Sequence, residues 1–429
     1  MFESNIQGKK SYYIALILAL SVLVLGSSLP SMFIFLFSLL CWIAIFFVNQ
    51  KKSNINFSIL RMLILSVPLS FTNVFGQLAQ ESNLVWFNIF FLILLLIFSK
   101  NVLVSNSLCV NDLAKFSIVI IFVSLMPVLT SPDMMDGFRQ FIFFAISCMA
   151  IVIGTEIKKR LTKNQKEQLL IDYISATKIV GIGLIVQILY MSIIDQEIGF
   201  YRIYGGDREA FGFLFLDFSF VSLFLSSGAM AIYFMHRKGQ NLEKYWFIKM
   251  VFLLVSSLLT TARTGIVAFV ATISFCNVFM SGDLIRKRSI KIIFYVFLNS
   301  IVLIGGYIGI YAVRPERGFA DSGRNTINQR ALNIFLDNPF LGIGFGRNNI
   351  INSIGVMPHN IFFQSLVQGG LLFAIPLFLF LLTILWIAYK KNRTLFPVIL
   401  CVLIGAFFIP NIFNSRFLTI LLFILSINM

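Results

Sequence analysis

A chain of 429 residues that is 58% hydrophobic and only 12% charged cannot enclose its own apolar surface as a water-soluble globule. Its formal net charge is +16, but the basic residues stand in short clusters between apolar runs, as positive-inside membrane insertion requires, so nucleic acid is not needed to explain the charge. The five cysteines, Cys41, Cys109, Cys148, Cys276 and Cys401, lie in or beside apolar runs with no CxxC or Cys/His spacing, which argues against disulfides and zinc.

Lys9 and Lys10 precede an apolar run over 12–28 that resembles a secretory signal. It lacks a small-residue cleavage site and a second run follows at once, so it reads as a retained first helix. Fourteen spans are expected in all, near 12–28, 31–48, 59–76, 84–99, 116–130, 138–155, 176–194, 212–234, 247–261, 264–281, 291–312, 360–389, 394–411 and 416–428. Neither a repeat nor the two-residue alternation of a membrane barrel is present. The expected fold is all-α: a polytopic transmembrane helical bundle of about 12–14 spans, forming one integral membrane domain over 1–429.

Basic residues crowd alternate loops: Lys51/Lys52, Lys100/Lys115, 158–166, 237–249, 286–291 and 390–393. That pattern places those loops and both termini in the cytoplasm. Every lysine is then cytoplasmic, whereas every external cation is an arginine: Arg139, Arg202, Arg208, Arg263, Arg314, Arg317, Arg324, Arg330, Arg347 and Arg416. A guanidinium grips carboxylate, phosphate or pyrophosphate through two parallel hydrogen bonds, which an ammonium cannot do. For any one arginine, pairing with an external acid is the competing reading; for the set, a bound anion is the better account.

Two external loops exceed about ten residues, 195–211 and 313–359, and function concentrates in such loops. In the longer one, Ile327, Ala331, Leu332, Ile334 and Phe335 predict a short helix with one face on the membrane surface, ended by Asn338-Pro339. The run Gly342-Ile343-Gly344-Phe345-Gly346 is either a turn or a phosphate-facing loop, and its spacing is wrong for a nucleotide fingerprint. His359, the only external histidine, stands between Pro358 and Asn360, and Pro358-His359 reads as the first turn of the next span. A helix N-terminus disfavours the imidazolium and so favours the neutral form that a general base needs; a histidine that merely caps the helix fits the same pattern. Arg263 lies in the tight turn Thr260-Thr261-Ala262-Arg263-Thr264-Gly265 at or below the membrane surface, where a charge is costly and usually functional. Asp217 is its expected counter-ion, and a purely structural pair is the alternative. The carboxylates Asp321, Asp337 and Glu316 lack the clustered spacing of a metal site.

Taken in order, the ART-G turn, the external loop with SGR, NPFLGIGFG, and PHN opening a helix that runs into Gly369-Gly370 resemble the O-antigen polymerase (Wzy) and O-antigen ligase (WaaL) family. The motif-bearing stretch is 260–372. The resemblance implies a GT-C-like glycosyltransferase of the bacterial inner membrane, using neither metal nor cofactor. It would move a glycan from undecaprenyl pyrophosphate to an acceptor hydroxyl at the outer leaflet. Its partners would be lipid-linked oligosaccharide donor and acceptor, membrane lipid and a chain-length regulator protein, with no nucleic acid. On this resemblance His359, Arg263 and Arg324 match the family's essential histidine and two of its arginines. Arg202 and Arg208 fall in its first arginine-rich loop, and Arg314, Arg317 and Asn360 would contact substrate. The family's tryptophan in the loop helix is absent here, so Arg330 receives no role. The span count favours polymerase over ligase, which attaches finished glycan to lipid A core. A flippase predicts charges through the membrane interior and inverted repeats, and a scaffold leaves the external histidine and arginines unexplained.

Overall fold

The computed structural model describes residues 2–26, 28–50, 54–78, 84–105, 111–204, 208–239, 245–279, 300, 304 and 324–429. Its helices in chain order are α1 (Phe2–Leu25), α2 (Ser31–Gln50), α3 (Ile55–Leu65), α4 (Trp86–Ser105), α5 (Asp112–Val123), α6 (Leu125–Leu129), α7 (Met134–Ile157), α8 (Lys163–Ile194), α9 (Phe218–Arg237), α10 (Trp246–Leu259) and α11 (Thr264–Phe279). They continue with α12 (Arg324–Asp337), α13 (Arg347–Ile354), α14 (Ile361–Lys391), α15 (Leu395–Gly405) and α16 (Phe417–Asn428). A hairpin of β1 (Tyr201–Tyr204) and β2 (Arg208–Phe211) interrupts the helical order. Among the described residues eight apolar helical segments are long enough to cross a membrane, and five shorter apolar helices, at α3, α10, α11, α15 and α16, accompany them. The chain is a multi-pass helical membrane protein. A helix lies at each expected span except 291–312, of which only Ser300 and Ile304 are among the described residues.

The chain forms two compact units, 1–101 with 160–318 and 102–159 with 319–429. In the first, α8 starts with a reciprocal cap in which the Thr162 and Gln165 side chains each take the other's backbone N–H. Near the lysine-flanked helix ends a polar knot joins four helices. Arg61 on α3 donates to Asp172 on α8 through Nε at 2.7 Å and Nη2 at 3.0 Å. Its Nη1 donates to Asn49 on α2, whose oxygen also accepts from Ser11 on α1. Both charged side chains are only 3% exposed, so the fork geometry must offset a large desolvation cost.

In the second unit Asp133 caps α7 by accepting the Asp136 N–H at 3.1 Å. Every residue of α16 from Phe417 to Ile427 is buried, so this short helix needs no polar face; it packs on α7, where Gly154 meets Ser426. The long α14 has 31 residues, about 46 Å of helix and more than a hydrocarbon core requires. It breaks at Gly370, whose φ of 55° and ψ of −159° are non-helical.

Candidate functional site

In the first unit the loop 195–211 contains the β1–β2 hairpin, which the all-α expectation did not include. Tyr201 pairs with Phe211, Arg202 with Ala210, Ile203 with Glu209 and Tyr204 with Arg208. Positions 202, 204, 208 and 210 therefore share one face of the ribbon. Ala210 on that face is fully buried in a cluster with Ala262, Phe218 and Phe200, so the hairpin docks on the turn that carries Arg263. Arg202 is exposed on the docked ribbon. On the other face, desolvation and the hydrogen bond to the Glu209 carboxylate hold the Tyr201 phenol above its ordinary range.

One buried amide fastens the base of the ribbon. Gln187 on α8 donates to the carbonyls of Ile198 at 2.7 Å and Phe200 at 3.1 Å and accepts the Phe213 N–H at 2.8 Å. A lone glutamine deep in an apolar run was the available signal, and sequence reasoning passed over it.

The Arg263 turn is fixed with equal care. Ser222 on α9 accepts the Gly265 N–H at 3.1 Å, and its hydroxyl reaches the Ala262 carbonyl at 3.2 Å and Ser257 at 2.8 Å. A Cβ at Gly265 would overlap the Ser222 carbonyl oxygen, which explains glycine after the ART triplet. Asp217, the expected counter-ion of Arg263, has a capping task as well. Its carboxylate caps α9, accepting from Ser219 N at 2.6 Å and Phe220 N at 3.3 Å.

In the second unit the loop helix α12 begins at Arg324. Its apolar side faces protein rather than the membrane surface: Ala331, with Ile327 and Ile334, packs against Ile350, Ile354 and Val367, and Met357 and Phe363 close the cluster. Leu332, Leu336 and Phe340 remain as an exposed apolar edge. Arg330 donates to the Ile354 carbonyl at 3.2 Å and so closes the C-terminal end of α13. The opposite end of α13 is capped by Asp136 of α7, which accepts the Asn348 N–H at 2.8 Å.

The glycine-rich run has a structural task. Where Gly370 breaks α14, buried backbone groups lose their helical partners, which is tolerated only if protein replaces them. Ile343 N donates to Val367 O at 2.8 Å and Gly344 N to Gln368 O at 3.0 Å; Leu371 N donates to Pro339 O at 2.8 Å and Leu372 N to Phe340 O at 3.2 Å. Gly342 N and Phe345 N are occupied by Asn338 O and Pro127 O. Of the two readings of GIGFG, the turn-like one holds, since these N–H groups are spent on protein carbonyls and cannot also cradle a phosphate.

His359 is half-buried, with Nδ1 shielded from solvent. It stands outside the first helical turn expected for it. Asn360 is the N-cap, its side-chain oxygen accepting the Phe362 N–H at 2.8 Å, and α14 starts at Ile361. The helix dipole, which fades within the first turn, therefore acts on His359 from one residue beyond the cap. Below it, three buried or half-buried amides, Gln364, Gln368 and Gln140, are linked side chain to side chain.

The remaining arginines divide. Arg416 is 6% exposed, lies 4.6 Å from the Phe143 ring and donates to Asn414 O at 2.9 Å. Arg347 opens α13 and Arg139 is exposed on α7. Arg314, Arg317, Glu316 and Asp321 lie outside the described residues, as do the side chains of Arg208 and Arg324. Among the described residues no cluster of three or more histidine, cysteine, aspartate or glutamate side chains could hold a metal ion.

Residues 248–378 match a protein-family profile described as O-antigen ligase. That stretch encloses Arg263, Arg324 and His359. No curated protein matches the chain.

Proposed function

We propose that this membrane protein, whose residues 248–378 match the O-antigen ligase profile, polymerises lipid-linked surface glycans on the external face of the bacterial inner membrane. The donor is an oligosaccharide on undecaprenyl pyrophosphate, and the acceptor is a hydroxyl of a second lipid-linked repeat unit. The observation that carries this reading is the coincidence of the family match with the three residues that the chemistry calls for.

An anomeric carbon bonded to pyrophosphate already has a good leaving group, which needs charge neutralisation more than protonation. Preorganised guanidinium groups supply that without a metal. Arg263 and Arg324 take this role, and the ribbon bearing Arg202 and Arg208 adds positive charge beside the Arg263 turn. The acceptor oxygen attacks the anomeric carbon, the bond to the pyrophosphate oxygen breaks, and the hydroxyl proton passes to His359 as general base. Undecaprenyl pyrophosphate leaves, and direct displacement inverts the anomeric configuration. Arg314, Arg317 and Asn360 contact the substrate, and a chain-length regulator is the expected protein partner.

Ligation of finished glycan to lipid A core is the second reading; the count of fourteen spans expected from the sequence is what favours polymerase over it. Deletion of the gene separates the two. Single repeat units that still reach the surface, with polymer lost, support polymerisation; polymer that accumulates on undecaprenyl pyrophosphate without reaching lipid A core makes the protein a ligase.

A further inference from the structure

We propose that Gln364, Gln368 and Gln140 form a directional amide chain that holds His359 at its working position, so that Gln364 and Gln368 are positioning residues for the transfer. The proposal rests on the reading of His359 as the base. Non-helical Gly370 cuts α14, and the nine residues 361–369 between His359 and the break take no direction from the rest of the span. Something else must aim this short segment.

Backbone bonds hold it at two points. Ile361 N donates to Ala406 O at 3.1 Å, and the carbonyls of Val367 and Gln368 accept from Ile343 and Gly344. Between these points the amides run in one sense. Asn411 N donates to Gln364 Oε1 at 2.6 Å, Gln364 Nε2 to Gln368 Oε1 at 3.2 Å, and Gln368 Nε2 to Gln140 Oε1 on α7 at 2.6 Å. Each donation polarises the next amide, so the chain is worth more than isolated pairs.

The surroundings make these residue types informative. Gln364 and Gln368 are each 4% exposed, and Phe144, Phe345, Phe373 and Phe413 line the same small cavity of about 30 Å³. Methionine or leucine would suit such neighbours, and a buried amide is tolerated only when its bonds are made. What the glutamines add over an apolar side chain is directional attachment to α7 and to Asn411. A displacement of about 1 Å at a reacting group is enough to cost on the order of 100-fold in rate.

The test uses the full-length protein in nanodiscs, with His236→Gln as background so that His359 is the only histidine. Gln364→Met and Gln368→Met keep volume and remove the chain; Gln140→Met removes its half-exposed end from the α7 side and serves if the first two fail to fold. Three quantities are read on each variant: kcat and KM on an undecaprenyl-pyrophosphate-linked repeat unit, the rate of carbethoxylation of His359 by diethyl pyrocarbonate, and the thermal midpoint. We expect kcat to fall about 10-fold or more, KM to hold, and the carbethoxylation rate to change by about 3-fold or more at an unchanged midpoint. Parent-like carbethoxylation in every variant overturns the proposal, as does a fall in kcat matched by a fall in midpoint with His359 reactivity unchanged. Because carbethoxylation needs no turnover, a fully active His359→Ala protein would remove the base role while the positional claim kept its own answer.

Discussion

The buried pair Arg61–Asp172 offers the sharpest stability prediction. Replacing Arg61 with methionine removes the two bonds at 2.7 and 3.0 Å and leaves the Asp172 carboxylate 3% exposed, with Gln168 Nε2 at 3.0 Å as its remaining partner. Breaking one side of a buried ion pair costs about 3–5 kcal/mol, chiefly because the other charge is left uncompensated. The Asn49 oxygen also loses a charged donor, which places the loss toward the upper end of that range. Asp172→Leu should be as damaging, since it strands a guanidinium among α1, α2, α3 and α8. The double variant Arg61→Met/Asp172→Leu leaves no buried charge and should recover most of the lost stability. Thermal midpoints of detergent-purified protein, followed by size-exclusion fluorescence, measure all three: each single variant should melt several degrees below the parent, and the double variant close to it. A double variant as unstable as the two losses added together would refute the reasoning, because the damage would then come from packing rather than from an orphaned charge.

His359→Ala should insert normally and lose about 10²- to 10⁴-fold in transfer rate, with His359→Gln nearly as poor; full activity of the glutamine variant in an assay on lipid-linked repeat units would remove the base role. Arg263→Lys and Arg324→Lys should lose most activity because the fork is lost while the charge stays, whereas Arg347→Lys should lose less; parent-like polymer length from both lysine variants would remove the leaving-group role. Gly370→Ala should cost about 1–3 kcal/mol, since its φ of 55° is strained for alanine and the added Cβ would overlap the Phe340 carbonyl; a parent-like melting midpoint would contradict this. In a cysteine-free background Asn325→Cys should react with an impermeant thiol reagent in permeabilised-outer-membrane cells and Lys163→Cys should not, the reverse result inverting the orientation.

Most spans were legible because hydropathy depends only on local composition, so helices appear at 31–50, 134–157 and 361–391 close to where apolar runs place them. What escaped depends on partners distant in sequence. The hairpin carried its own signal, YRIY and REAF around Gly205-Gly206-Asp207, and was missed because the loop was read for charge rather than for alternation. The pattern of α12 was read correctly, but periodicity identifies an apolar face without saying whether lipid or protein covers it; α13, too short to stand out, is what covers it. The same limit applied to GIGFG. Whether its N–H groups are open to a phosphate is decided by a break 26 residues downstream of Gly344, at Gly370. Arg61 falls inside the expected span 59–76, and neither it nor Asp172 had a visible partner until α3 and α8 were side by side.

The break in α14 also constrains how the protein is made. As this span enters the bilayer, the carbonyls of Val367 and Gln368 and the N–H groups of Leu371 and Leu372 need partners, and those partners lie in 339–344. Synthesis from the N-terminus delivers 339–344 first, so the partners exist before the groups that need them arrive. A permuted chain that supplied α14 before the loop would thread a helix with bare polar backbone into hydrocarbon. The order of these segments in the gene is thus part of the folding instruction.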